Sequence, residues 1–448
     1  MTTRYTLEKR PEVLSLVADA EDLQLDAGSS VPNAAISSSR ATTGLGIFTQ
    51  VEGHQNVDAV RMTGNPSASG QFLRVGIPIP GNKIIGTGSN IMIRLHLPAA
   101  DVNDVQQQMS FRVMAQNGTS IALNANHALA SNILNNAPKK RYETIVLNTA
   151  DFTQQGSGMD WDAPVGKIFV MWRASSTPPS VADVYIDGVF TNWRWPNGEI
   201  PITFTGDDGN RTQYDVLFKQ YFEPEGWPAS LAIISGLLDE GGNTITSAEL
   251  REMVAAGWTH MNHGNDAAVW TGLSQAALTA KLQLHIDEMR QKGFNSLERQ
   301  MAVYPTGAVD ENVLTTLADS GFLRGRTVRP GHITFEQRFN DHGIFEPGGP
   351  DPFVMRSCNM GVGGSNFSNW AEMETVIDAC IQKQMPVNFH FHNFTDTPVA
   401  GTDFGIDQLP LLVAGIKSKA ARVVGIENFL VPDNITRMAA DSRVTRWN

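Results

Sequence analysis

The chain has 448 residues, with 34 Lys and Arg against 46 Asp and Glu and a formal net charge of −12. That length exceeds one ordinary domain and predicts two or three, each large enough to bury a full core. The acidic balance gives a nucleic-acid-binding surface no electrostatic support, so nucleic acid is not expected as a partner.

The first segment, residues 1–30, is polar and weakly patterned and ends in the turn signal Asp26-Ala27-Gly28-Ser29-Ser30. It reads as an arm or linker, without the continuous apolar stretch of a secretory signal. No apolar run in the chain approaches the ~20 residues that span a bilayer. Residues 31–195 change to period two: Ile91, Ile93, Leu95 and Leu97 share one face of a predicted strand, with Met92, Arg94 and His96 on the other. Similar runs near residues 72–75, 111–114, 167–172 and 183–190 are separated by Gly, Pro, Asn and Ser clusters. Short strands with no helices between them predict an all-β sandwich. The region resembles the jelly-roll modules appended to carbohydrate enzymes, a resemblance that implies a carbohydrate-binding or attachment role.

At Trp195-Pro196-Asn197-Gly198 the texture changes, and residues 196–448 alternate strand-like and helix-like runs. Strands are predicted at Ile202 to Thr205, Ser230 to Ile234, just after Gly257, at Met301 to Tyr304, Val387 to His390 and Arg422 to Ile426. Helices are predicted at Thr246 to Ala256, with a Thr246/Glu249 capping box and Gly257 as stop, and at Leu278 to Arg290. In the latter, Leu278, Leu282, Ile286 and Met289 recur at helical spacing. Further helices are expected at Asp310 to Ala318, Trp370 to Ile381 and Asp407 to Ile416. Roughly six to eight such units predict an α/β domain built as a complete or incomplete (β/α) barrel. Cys358 and Cys380, the only cysteines, lack the spacing of a metal knuckle and read as core thiols.

Chemistry in such barrels gathers where strands end in sequence. There stand Asp207 and Asp208, then His263, then Pro305, then His390 and His392. Adjacent carboxylates can divide the work of holding a divalent metal and accepting a proton from water, and a histidine can return a proton to a leaving group.

These residues carry a family resemblance. Ile202 to Gly209, I-T-F-T-G-D-D-G, is similar to the T-F-D-D-G motif that opens polysaccharide deacetylases, with Thr205-Gly206 inserted. Gly257 to His263, G-W-T-H-M-N-H, resembles their second motif, Tyr304 to Asp310 their third in its Y-P-x-G form, and Pro386 to Asn393 the strand bearing the catalytic acid. The resemblance spans about 250 residues. It implies metal-dependent removal of acetyl groups from an acetylated polysaccharide, with Asp207 as general base, Asp208 and His263 as metal ligands, and His392 or His390 as general acid. The implied metal is a divalent cation, most often zinc, which makes hydroxide available near neutral pH. A backbone N–H on the turn after Tyr304 would hold the oxyanion. Tyr304 and Pro305 belong to the implied substrate cleft, and Trp258 and Trp270 are candidates for stacking on sugar rings or for core positions.

Two departures stand out. The family continues H-x-x-x-H, but Ala267 stands four residues after His263; Asp266 or His260 fills the gap, a further water does, or each has a structural role. The arginine that braces the base in relatives is missing from the third motif, where Ala302 stands. A glycan-binding pseudoenzyme is therefore the alternative. The order of arm, sandwich and glycan-modifying domain also suits an adhesion component such as a phage tail protein, with the N-terminal region attaching to a particle or to further copies of the chain.

Overall fold

The computed structural model describes residues 12–14, 46–48, 59–64, 72–78, 84–97, 109–117, 125–129, 141–154, 159–174, 182–191, 198–294, 301–328, 355, 357–363, 367–383, 386–399 and 401–426. Those up to residue 191 form one compact unit and those from 198 onward a second. The predicted arm, apart from residues 12–14, and the predicted boundary at Trp195 to Asn197 lie outside the described residues.

The first unit holds two antiparallel sheets. In the six-stranded sheet, Gly46–Phe48, Ala59–Gly64, Ala182–Thr191, Asn90–Leu97 and Arg141–Asn148 lie side by side, and Glu12–Leu14 also pairs with Ala182–Thr191. In the five-stranded sheet the order is Phe72–Pro78, Val165–Ala174, Met109–Asn117, Ala125–Leu129 and Thr153–Gln154. All five strand runs predicted here fall within these elements. At one sheet end Asn148 caps a short 3-10 turn, and its side-chain amide donates to Gly88 O at 2.8 Å and Asn90 Oδ1 at 3.0 Å.

The second unit is a parallel β/α domain. The strands of its main sheet, among the described residues, are β1 (Ile200–Asp208), β2 (Ser230–Ile233), β3 (Thr259–Asn262), β4 (Ala302–Val303), β5 (Gly325–Arg326), β6 (Cys358–Asn359), β7 (Val387–Phe391) and β8 (Ala421–Val423). The sheet order is β5-β4-β3-β2-β1-β7-β6, with β8 pairing the start of β1. Met355, three residues before β6, makes a parallel bridge to Arg326 in β5. Met355 thus touches β5 while Cys358 and Asn359 pair with β7, and the sheet curls round to meet itself.

Among the described residues, the α-helices of nine or more residues that cover the strands are α1 (Ser247–Ala255), α2 (Gln275–Gln291), α3 (Glu311–Asp319), α4 (Trp370–Lys383) and α5 (Leu409–Lys417). The capping box of α1 forms as its sequence predicts, Thr246 Oγ1 accepting from Glu249 N and Glu249 accepting from Thr246 N. Leu278, Leu282, Ile286 and Met289 give α2 a stripe at most 1 % exposed. Each such side chain contributes about 2 kcal/mol by leaving water. Between β1 and β2 runs a ten-residue π-helix, Gln213–Phe222, that periodicity does not reveal. Its Phe218 and Phe222 pack with Phe204 and Trp258 on the outer side of the sheet.

Inside the curl the wall is of two kinds. Ala232, Met261, Met301, Val303, Met355 and Ile426 form an apolar cluster. Along β1 and β7, Thr203, Thr205, Asp207, Asn388 and His390 are polar and buried, and Thr203 Oγ1 donates to Asn388 Oδ1 at 2.9 Å. Buried polar groups need partners, so this half of the interior is organised by hydrogen bonds and charge.

Candidate active site at the strand ends

Strand β1 carries the two aspartates out of the wall. Because side chains alternate faces with period two, Asp207 lies on the same face as Thr203 and Thr205. Gly206 faces the other way, where an added Cβ would lie 2.6 Å from Phe391 Cε2 and 2.7 Å from Leu231 Cδ2. Only glycine fits between those neighbours. The chain then turns sharply, Asp208 and Gly209 both taking left-handed backbone at φ 70° and 71°. Asp tolerates this conformation better than most residues. The turn sends the adjacent carboxylates to different places, Asp207 into the buried interior and Asp208 to the partly exposed rim.

Asp207 is 2 % exposed and forms a buried ion pair with Arg326 through Oδ1 and Nη2. Arg326 lies on β5, across the curl from β1, and is itself held by Ser357, whose Oγ accepts from Nη1 at 3.0 Å and donates to Thr327 O at 2.8 Å. Burial alone would push the Asp207 carboxyl up; the neighbouring groups, the Arg326 guanidinium foremost, outweigh it and hold the carboxyl well below the usual carboxylate range. The brace absent at Ala302 is thus supplied by the next strand, since Ala302 pairs with Gly325 and Val303 with Arg326.

His263 follows β3 and is 4 % exposed. Asn262 Oδ1 accepts from Gly264 N at 2.9 Å and shapes the turn that presents the ring. Nδ1 lies 2.8 Å from Val303 O, and since a carbonyl can only accept, Nδ1 carries the hydrogen. In the neutral ring the Nε2 lone pair then points toward Asp208 Oδ1, 3.5 Å away. A lone pair facing a carboxylate at that separation matches the edge of a coordination polyhedron with ligand bonds of about 2.1 Å. Among the described residues, no group of three or more His, Cys, Asp or Glu side chains is arranged to hold a metal.

Neither candidate for the missing ligand joins this pair. Asp266 is exposed, bonded to Lys281 Nζ and accepting from Ala268 N at 2.9 Å in a local turn. His260 faces the helix side of β3, where its ring meets Phe294 edge-on at 5.4 Å. Beside it His285 of α2 holds the loop after His263, with Nδ1 2.9 Å from Gly264 O. Burial drives the His285 pKa down to about 3, so it stays neutral at pH 7.

His392, just past β7, places Nε2 3.8 Å from Asp207 Oδ2 and keeps 19 % of its side chain exposed. His390 lies one alternation deeper, 1 % exposed, with its ring centroid 5.9 Å from that of His392. Burial, reinforced by Arg326 and opposed by Asp207, holds the His390 pKa well below the ordinary histidine range.

Tyr304, placed by the resemblance in the substrate cleft, lies in the core instead, and Trp258 and Trp270 take core positions, the second of the two readings their sequence allows. Tyr304 and Trp270 are fully buried and meet edge-on at 5.9 Å in the cluster under α2 and α3, and Tyr304 N donates to Arg326 O at 3.2 Å. Trp258 is 1 % exposed and donates its indole N–H to Trp227 O at 3.1 Å. The rings are spent on packing, and neither tryptophan offers a free face. Pro305 is buried as well, at the start of a one-turn 3-10 helix, Pro305–Gly307. In that turn Thr306 takes φ 58°, a left-handed conformation uncommon for a β-branched residue.

Residues 194–324 match the family model for polysaccharide deacetylase. Solved structures similar to the chain include the Streptococcus pyogenes deacetylase PplD in complex with acetate, at 20% identity over 29% of this chain and 56% of that one, with a TM-score of 0.27. The chain thus spans just over half of that protein's length. A family 4 acetyl xylan esterase from Clostridium thermocellum in complex with a cobalt ion matches at 13% identity over 51% of this chain and 89% of that one, TM-score 0.33. The peptidoglycan deacetylase PdaC from Bacillus subtilis matches at 10% identity over 56% of this chain and its whole length, TM-score 0.35. No curated protein matches the chain.

Proposed function

We propose that the domain hydrolyses acetyl groups from an acetylated polysaccharide at the mouth formed by β1, β3 and β7. The observation that carries this reading is the convergence of two pairs, Asp207 with His392 at 3.8 Å and Asp208 with His263 at 3.5 Å, from three strand ends. Asp208 and His263 supply an anionic oxygen and a neutral imidazole nitrogen, a donor set that suits a divalent cation, zinc among them, with solvent and substrate completing its shell. Such a cation, when bound, acidifies water and polarises an acyl oxygen.

Asp207 stays ionised beside Arg326 and takes the proton from the attacking water. His392, at the open edge, delivers a proton to the departing amine or alkoxide. Its position at the mouth supports it over His390 for this task, because a group that is to meet a leaving atom must be reachable and His390 is sealed beneath it. His390 is read as a neutral spacer between the His392 ring and the Arg326 charge. The first unit is read as an accessory sandwich for glycan attachment, supported by its two antiparallel sheets.

The test is acetate release from acetylated polysaccharides by the full chain, alongside metal content. Turnover that disappears in Asp207→Asn, with about one equivalent of metal lost in both His263→Ala and Asp208→Ala, supports the reading. Full activity in Asp207→Asn would sink it.

A further inference from the structure

The ladder between β1 and β7 ends at Gly206 and Phe391. The next residues along the two strands are Asp207 and His392, so their carbonyls sit one rung past the last pair. Buried carbonyls in that position need donors from elsewhere. The side chain of Gln213 provides them: Nε2 donates to Asp207 O at 2.6 Å and to His392 O at 2.8 Å. A primary amide carries two hydrogens, and here each one goes to a different strand end. Asn210 Nδ2 approaches the same two carbonyls, at 3.4 Å each, and Thr212 Oγ1 accepts from Phe394 N at 3.1 Å.

Gln213 is fully buried, and among the described residues its Oε1 has no hydrogen-bond partner, so the amide orientation is set by the two carbonyls. The two ends it joins are held unequally. The Asp207 side chain has its own anchor in Arg326. Among the described residues His392 Nδ1 has no hydrogen-bond partner, so the ring has no comparable anchor there and is placed through its backbone.

We propose that Gln213 is a positioning residue for proton delivery: its amide extends the β1–β7 ladder by one rung and thereby fixes His392 against Asp207. This rests on the assignment of His392 as the proton donor. Losing the rung leaves the base anchored and sets the donor adrift, so the loss falls on substrates whose leaving group needs a proton.

The experiment compares Gln213→Met, similar in length but without N–H groups, with the wild-type full chain on two probes. An N-acetylated chitooligosaccharide departs as an amine and needs protonation; 4-nitrophenyl acetate departs as a stable anion and does not. The expected result is a kcat lower by roughly 10- to 100-fold on the oligosaccharide, with KM nearly unchanged and the nitrophenyl ester much less affected. Equal losses on the two probes, or none, overturn the proposal. If Gln213→Met does not fold, Gln213→Glu serves: protonated it keeps one donor and ionised it keeps none, so its deficit on the oligosaccharide grows with pH, and a pH profile matching wild type overturns the proposal. Crystal structures give a readout independent of turnover. Displacement of His392 from its 3.8 Å approach to Asp207 in the variant is expected, and an unmoved ring refutes the idea. A wild-type protein that releases no acetate from any glycan would fail the deacetylase reading itself, and the crystallographic comparison would still decide the role of Gln213.

Discussion

Arg326 and Asp207 stand 119 residues apart in sequence and form a buried ion pair across the inside of the curled sheet, with Arg326 wholly inaccessible and the aspartate side chain 3 % exposed. The pair ties β5 to β1, which are not neighbours in the sheet order, so its worth is both electrostatic and architectural.

Breaking it from one side leaves a buried charge uncompensated, which costs about 3–5 kcal/mol. Arg326→Met is therefore expected to unfold at markedly lower denaturant than wild type, and what folds should be inactive because Asp207 is no longer held ionised. Chemical denaturation of the two proteins checks this. Arg326→Lys should recover only part of the loss, since an ammonium lacks the fork that reaches Asp207 and Ser357 together.

The pH dependence of stability should carry a histidine signature. The pKa of His285 falls from 6.5 to about 3 on folding, so the unfolded chain binds its proton first. Its contribution is fully present above pH 6.5 and is lost as pH falls from there toward 3, with a slope of up to about 1.4 kcal/mol per pH unit. His390, shifted in the same direction, adds to the slope. Asp207 acts lower: with its pKa depressed, its contribution holds above the ordinary carboxylate value of 3.8 and is lost only as pH falls below it. Urea titrations at pH 7, 6 and 5 should show falling stability, less steeply in His285→Gln.

A divalent cation should stabilise the protein through Asp208 and His263. At a free concentration 100 times the dissociation constant the gain is about 2.7 kcal/mol, visible as a rise in Tm that is absent in His263→Ala. Asp266→Ala should behave as wild type in metal content, because that carboxylate is held by Lys281 on the surface. Loss of metal in Asp266→Ala would show that the loop rearranges to bring it in.

Gly206→Ala tests the packing at the end of β1. Its new Cβ would overlap the Phe391 ring and Leu231, and overpacking of this kind costs about 1–3 kcal/mol. A drop in Tm, with activity falling further because Phe391 adjoins His392, is the expected outcome.

Much of the second unit is legible in the sequence because its helices are long enough to show a 3.6-residue period and its chemistry lies at strand ends. The capping box at Thr246 and the stripe of α2 are local signals that local physics realises. Strands β5 and β6 are two residues each, too short for any periodicity, and Arg326 is hidden in one of them. Its role is set by which strand lies opposite, a property of the closed sheet. The nearest signal was negative, the missing arginine at Ala302, which could have prompted a search along the neighbouring strand. Gln213 was invisible for another reason: its function is to serve two backbone carbonyls, which leave no trace in side-chain patterns. Sequence leaves Trp258 and Trp270 open between two roles, because an aromatic ring beside a motif looks the same whether it faces a sugar or Phe218 and Tyr304.

The period of two along β1 bears on how its end can change. A strand end can grow by two without turning its aspartate away from the interior, whereas growth by one would point that aspartate into the helix layer and abolish the site in a single event.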